Sequence, residues 1–249
     1  MPDDFADCVV IVTGGAKGIG RATAALFAQR GARVVTLDKD PVPPPLGVEA
    51  LCVDIQDEQG VFAAIEEAGK RFGKIDVLVN NAGISSVGTV EDGSMEEWHR
   101  VYDINVLGPV RCTRAALPFL RLSGHGAVVN ITSCTAISGF QQRALYSASK
   151  GALHALTFAM AADLLKEGIR VNCVSPGSVA TPFMQKLAEA AQDPVAKLAE
   201  FNARQPMGRM VEAEEVALAV AYLAHPKACS TIGSVVTVDG GMAGLRLAR

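Results

Sequence analysis

Tyr146 and Lys150 stand four residues apart in Tyr146-Ser-Ala-Ser-Lys150, at the head of an apolar helical pattern that runs to about residue 166. In an α-helix that spacing stacks a phenol and an ammonium group on one face, one turn apart. A free phenol titrates near pH ~10, too high for a general base at neutrality. A positive charge ~5 Å away, at an effective dielectric of ~20, favours phenolate by ~3 kcal/mol. That is worth roughly 2 pKa units. Burial pushes the other way, so a second cation beside the pair would help. An ordinary helix can carry Tyr and Lys on one face for no chemical reason, so the surrounding chain has to decide.

The elements that would position this pair follow a regular alternation. Residues 9–13, Val-Val-Ile-Val-Thr, read as a strand buried on both faces. Gly14-Gly-Ala-Lys-Gly18-Ile-Gly20 follows, then a helical pattern with Ala24, Leu26 and Phe27 facing inward. Glycines between a strand and a helix let a pyrophosphate approach the helix N-terminus. Residues 33–37 read as a second strand ending at Asp38, whose carboxylate can accept hydrogen bonds from a ribose and repel a 2′-phosphate. Pro41-Val-Pro-Pro-Pro45 then occupies the place of a crossover helix. Proline runs exclude helix interior, so a short irregular crossover is expected before a strand at 48–53. Asp54 closes that strand, either at an adenine site or as a cap of the next helix.

A helix at 59–72 and a strand at 75–79 lead to Asn80-Asn-Ala-Gly83, at the carboxyl edge where open α/β sheets bind ligands. Ser94 reads as the N-cap of a helix continuing through Leu107, with Asn105 misplaced in its interior. A fifth strand at 126–131 ends in Thr132-Ser133-Cys134, and a sixth at 169–174 precedes Pro176-Gly-Ser-Val-Ala-Thr181. Residues 181–210, helical in composition but interrupted by three prolines, form a candidate lid. A helix at 212–223 and a strand at 234–238 complete the pattern. The reading is one α/β domain over residues 1–249, a doubly wound parallel sheet of about seven strands with helices on both faces.

Composition sets the limits. At 249 residues, 49% hydrophobic and 20% charged, the chain has ample core for one domain. A net charge of −3 offers no basic face for nucleic acid. The acidic residues 1–8 carry no signal pattern, and the longest apolar run, 216–224, is too short to span a bilayer. Six cysteines lie far apart, as do four histidines, which points to reduced thiols in a cytoplasmic protein and suggests no metal site.

The glycine turn at 14–20, Asn80-Asn-Ala-Gly83, Asn105, Ser133 and Tyr146-x-x-x-Lys150, in that order, resemble the short-chain dehydrogenase/reductase family with its Rossmann-type fold. The resemblance runs through the Pro176-Gly177 turn to the closing Asp239-Gly-Gly241. It implies that Asn105, Ser133, Tyr146 and Lys150 form a catalytic tetrad on a nicotinamide dinucleotide. Tyr146 would take the proton of a substrate alcohol and Ser133 would hydrogen-bond its oxygen. Lys150 would lower the tyrosine pKa and bind the nicotinamide ribose, and Asn105 would hold a water that relays the proton. The implied cofactor residues are Gly14, Lys17, Gly18, Ile19, Gly20, Asp38, Asp54, Ile55, Asn81, Ala82, Gly83, Pro176 and Gly177. Tyr146 and Lys150 join them, with Val179 and Thr181 resembling the contacts to the carboxamide. Asp38 argues for NAD, whereas Lys17 and Lys39 are residue types seen in NADP-preferring relatives. A carboxylate desolvated against a phosphate should outweigh two flexible ammonium groups.

Two arginines narrow the substrate. Arg143 lies three residues before Tyr146, and Arg204 lies in the lid within Arg204-Gln-Pro-Met-Gly-Arg209. A planar guanidinium fork suits a carboxylate. Both resemble a branch holding type 2 3-hydroxybutyrate dehydrogenases and sugar-acid dehydrogenases such as those for 2-keto-3-deoxy-L-fuconate. A small hydroxy acid or sugar acid, bound by Ser133, Arg143, Tyr146 and Arg204, is the expected substrate, with a neutral sugar or polyol as the alternative. A regulator that only binds NAD(H) is the third reading, against which the intact tetrad speaks. Surplus apolar residues on the helix after Tyr146 (Leu153, Leu156, Phe158, Met160, Leu164 and Leu165) and on the helix through Val106, Leu107 and Val110, with Leu117 and Phe119 beyond, predict a symmetric homotetramer.

Overall fold

The computed structural model describes residues 4–246. Seven strands form one sheet in the order β3-β2-β1-β4-β5-β6-β9, every pairing parallel. They are β1 (Val9–Thr13), β2 (Arg33–Asp38), β3 (Val48–Cys52), β4 (Val77–Asn80), β5 (Ala127–Ile131), β6 (Arg170–Pro176) and β9 (Val235–Val238). A separate short pair, β7 (Val179–Ala180) and β8 (Val211–Glu212), ties the two ends of the 181–210 segment together. The helices are α1 (Gly18–Gln29), α2 (Glu58–Phe72), α3 (Met95–Tyr102), α4 (Gly108–Leu120), α5 (Ala144–Leu164), α6 (Pro182–Glu189), α7 (Pro194–Ala203) and α8 (Ala213–Ala224).

Successive side chains of a strand point to opposite faces, and β1 divides its residues accordingly. Val10 and Val12 join Phe27 of α1 and Val216 and Val220 of α8 on one face of the sheet. Val9 and Ile11 join Ile65 of α2, Cys112 and Leu120 of α4 and Leu164 of α5 on the other. The sheet is therefore buried on both sides, which is why its strands read as unbroken apolar runs. The strand order reverses between β1 and β4, and the carboxyl ends of the strands on either side frame a crevice there. This is the doubly wound Rossmann-type architecture. No helix of the described residues is long and apolar enough to cross a membrane.

Two elements depart from expectation. The helix expected to run from Ser94 through Leu107 is divided. Ser94 does cap α3, its hydroxyl accepting from the Glu97 N–H, but residues Asp103–Leu107 form a π-helical turn before α4 continues. Asn105 sits inside that turn, and its engagement there (below) gives the wider turn a reason. The 181–210 segment resolves into α6 and α7, each started by a proline. Two of the three prolines that looked like interruptions, Pro182 and Pro194, are helix N-termini, while Pro206 lies in the turn after α7. Phe201, Ala188 and Met210 form a small core of their own beneath them, apart from the two faces of the sheet.

The proline-rich crossover contains no helix. It is held to the start of α1 by two cations, Lys17 donating to Asp40 and Arg21 donating to the Pro43 carbonyl at 2.7 Å. Asp54 closes the region after β3 but is not the cap of α2. Asp57 performs that task, accepting from the Gly60 N–H, while Asp54 accepts from the Gln56 N–H.

Candidate active site

Every proposed cofactor residue except Gly20 lines one cleft of about 1210 Å³ at the carboxyl ends of the strands, together with Ser133, Arg143 and Arg204. Gly20 lies behind it and is needed for closeness. A Cβ there would come within 2.1 Å of the Gly14 carbonyl oxygen, so only glycine lets α1 meet the end of β1 so tightly. Gly14 and Gly18 both adopt positive φ, which turns the chain from β1 into α1.

Asn81 fixes this turn from the neighbouring strand. Its side-chain nitrogen donates to the carbonyls of Thr13 and Gly14, at 2.9 and 3.0 Å. Thr13 returns the connection, its hydroxyl accepting from the N–H groups of Asn81 and Ala82. Asn80 points instead into the core, where it donates to Thr113 and Asn130. The two adjacent asparagines thus do different work, one in the core and one at the cleft.

Asp38 ends β2 at the far side of the cleft. One carboxylate oxygen accepts from the Ala16 N–H at 2.9 Å and the other from the Asp40 N–H at 3.0 Å. This couples the acidic residue to the glycine turn, so both would address the same dinucleotide. The closely approached glycines, the carboxylate at the end of β2 and the length of the cleft fit a nicotinamide dinucleotide.

At the reacting end, α5 presents Tyr146 and Lys150 on one face as its spacing requires. Lys150 Nζ lies 6.0 Å from the centre of the Tyr146 ring and donates to the Ile131 carbonyl at 2.8 Å. Ser133 Oγ accepts from both the Thr135 N–H and the Thr135 hydroxyl. Its own proton is thereby left to donate toward Tyr146 or a substrate oxygen. Asn105 is wholly buried behind Gly83. Its Nδ2 donates to the Ile84 carbonyl and to Ser149 Oγ, and its Oδ1 accepts from the Ile84 N–H at 2.8 Å. Both amide hydrogens are spent, so only the second lone pair of Oδ1 is left to hold a water.

The electrostatics differ from the simple expectation for the pair. Burial raises the Tyr146 pKa, opposed by the hydrogen bond from Ser133 and the charge of Arg143. Burial also drives Lys150 down to about 8. Burial thus disfavours the charged form of both residues, phenolate at Tyr146 and ammonium at Lys150. The buried ammonium has a measurable cost. Its charge burdens the folded state fully below pH about 8, and the burden is relieved as pH rises from about 8 toward the ordinary 10.5. Lys150→Met removes a penalty of about 3 kcal/mol at pH 7 and forfeits a hydrogen bond worth ~1 kcal/mol. The expected net is a melting temperature raised by roughly 4–8 °C at pH 7. Thermal unfolding followed across pH should show that gain shrinking between pH 8 and 10.5. A gain that instead grows over this window contradicts the burial of charge.

Arg143 is aimed by an unusual backbone. Gln142, just before it, has φ of 56° without being glycine, and the Gly88 N–H donates to the Gln142 carbonyl at 3.0 Å. Arg143 Nη1 donates to the Ser86 carbonyl, and among the described residues it has no carboxylate partner. Burial first, and the positive charge of Arg204 second, push its pKa down. Two like charges therefore face one cleft. Arg204 meets Glu200 at 2.6 Å, and Glu200 also holds Lys197 at 2.7 Å.

The sequence did not single out Arg100 of α3 or Lys197 and Glu200 of α7, all of which line the cleft. The i,i+3 and i,i+4 spacing of the acid with Lys197 and Arg204 was the available signal. Lys39 is exposed beside Asp38 and lines the cleft as well.

Residues 14–243 match a family model described as enoyl-(acyl carrier protein) reductase. L-fucose dehydrogenase of Bos taurus is 40% identical over 97% of this chain and 91% of its own. Cis-4-hydroxycyclohexanecarboxylate dehydrogenase of Sinomonas cyclohexanicum is 40% identical over 97% of this chain and 98% of its own. Ligand-free aldohexose dehydrogenase of Thermoplasma acidophilum superposes with a TM-score of 0.92 at 36% identity, each chain covered in full.

Proposed function

Because the chain belongs to the short-chain dehydrogenase/reductase family, we propose that it interconverts a secondary alcohol and a ketone on a small hydroxy acid or sugar acid, using NAD. The observation that carries the substrate class is the pair of arginines facing one cleft, Arg143 without a carboxylate partner among the described residues and depressed by burial first and the charge of Arg204 second. An anion between them relieves that repulsion. The hydroxycyclohexanecarboxylate enzyme, named for an acid substrate, supports this reading.

A bound oxidised nicotinamide would supply the hydride acceptor for the carbinol carbon and a positive charge in the cleft. Ser133 donates its free proton to the substrate oxygen and orients it. Tyr146 takes the hydroxyl proton as general base, once the added cation offsets its burial. Lys150 holds the ribose side of the cleft and hands the proton to a water held by the Oδ1 of Asn105, which carries it to solvent. Arg143 and Arg204 grip the carboxylate.

Asp38, fixed by the Ala16 and Asp40 N–H groups, favours a free ribose hydroxyl and so NAD over NADP. The reading is tested by adding NAD with each of a panel of hydroxy acids and neutral sugars and following reduced nicotinamide. Turnover of none of them removes it. The neutral-sugar alternative has one observation in its favour, that Arg204 already holds Glu200 at 2.6 Å. The L-fucose and aldohexose dehydrogenases fit that alternative by name.

The same reading includes a homotetramer. The outer face of α5 exposes Phe158 beside Ala155, Ala159 and Ala162, a surface that a two-fold partner can approach closely. Leu218 and Tyr222 of α8 are more than half exposed on a different face, giving the second contact that a tetramer needs. Sedimentation at micromolar concentration should return four times the 26.0 kDa chain mass, and a monomer there would refute the assembly.

A further inference from the structure

Lys17 and Asp40 flank Asp38 at the adenosine end of the cleft, and both line it. Lys17 is the last residue before α1, so its ammonium rises where a ribose phosphate of a dinucleotide would lie. A free lysine there would attract a 2′-phosphate. It is not free: Nζ meets Asp40 Oδ2 at 2.6 Å. That mutual hydrogen bond is the chief force raising the lysine pKa and lowering that of the carboxyl.

Asp40 is a well-fixed acceptor. Its N–H donates to Asp38, and the following Pro41 confines it to extended backbone. The crossover that carries it, Pro41 to Pro45, is stiff and pinned again by Arg21 on the Pro43 carbonyl. A helical crossover would begin its first turn here. The proline run instead keeps the chain extended and its carboxylate over the start of α1.

We propose that Asp40 is a specificity residue, which excludes dinucleotides bearing a 2′-phosphate by sequestering Lys17 in this ion pair. It rests on the nicotinamide-dinucleotide reading above. With Asp40 present, Asp38 and Asp40 cancel Lys17 and Lys39, and the cation nearest the site is already engaged. With Asp40 made neutral, two lysines face one carboxylate and the Lys17 ammonium is released. The ion pair is exposed, with side-chain accessibilities of 55% and 46%, so breaking it leaves the fold nearly untouched.

The test is equilibrium binding, read by fluorescence of NADPH and NADH titrated with wild type, Asp40→Asn, Asp40→Ser and Asp40→Asn/Lys17→Met. Freeing one ammonium charge ~6 Å from a phosphate dianion in near-aqueous dielectric raises its affinity by about 10-fold. Both single variants should therefore tighten NADPH by about that factor and move NADH by less than about twofold. Raising the salt should shrink the difference, because the charges are exposed. Adding Lys17→Met should cancel the gain. An NADPH-to-NADH ratio unchanged in both single variants overturns the proposal. So does a gain that survives Lys17→Met, since Asp40 would then act by its own charge alone. Failure of the nicotinamide reading looks different, because wild type would bind neither probe.

Discussion

Tyr146→Phe is expected to lower kcat by roughly 10³- to 10⁴-fold, the upper range for losing a positioned general base. The fold should survive, because the ring remains in place and only an oxygen at the cleft is removed. NADH affinity should change little for the same reason. Lys150→Met should differ in kind, lowering turnover and weakening the dinucleotide together, since its ammonium serves both. Steady-state rates alongside a fluorescence titration separate these two patterns. A Tyr146→Phe enzyme with normal kcat would remove the proposed mechanism. A variant that loses NADH binding as completely as turnover would make Tyr146 a structural residue instead.

The second large effect concerns the arginines. Hydrogen bonds to a charged group are worth about 1.5–3 kcal/mol each. Replacing Arg143 or Arg204 by alanine should accordingly reduce kcat/KM for a hydroxy acid by ~10- to 150-fold. Activity on a matched neutral alcohol should barely move, because no anion is left to lose. The two positions need not be equal. Arg143 is half-buried, and only the Ser86 carbonyl occupies it, so its fork is available at once. Arg204 must exchange Glu200 for the substrate, although an exposed ion pair of this kind is worth only ~0–1 kcal/mol. Arg204→Ala is therefore expected at the lower end of the range. Equal losses on acid and neutral substrates would assign both arginines to the architecture of the cleft.

Much of this was legible before the fold. The strand-turn-helix at 9–29 reads directly because both-face burial writes unbroken apolar runs and the turn demands glycine at close approach. Helical spacing put Tyr146 and Lys150 on one face, but the pair took on chemical meaning only beside the glycine turn, Asn105 and Ser133 in order. The electrostatics did not read so easily. The burial of both is a tertiary fact, and it raises Tyr146 where a neighbouring charge alone would lower it. Asn105 announced itself as a poor helix former, but the π-helical turn around it could not be seen in a period of 3.6 residues. The prolines at 182 and 194 misled for a simple reason: proline marks a helix start as well as a break. Asp40 was silent because its meaning depends on the crossover folding back over Lys17, across 23 residues of chain.

One measurement bears most directly on the central claim: kcat/KM of the wild-type enzyme with NAD for a small hydroxy acid and for its carboxamide. The two differ only in the charge that Arg143 and Arg204 would grip. The account predicts oxidation of both, with the acid favoured by about 10-fold or more. An amide oxidised as fast as the acid, or faster, would contradict it.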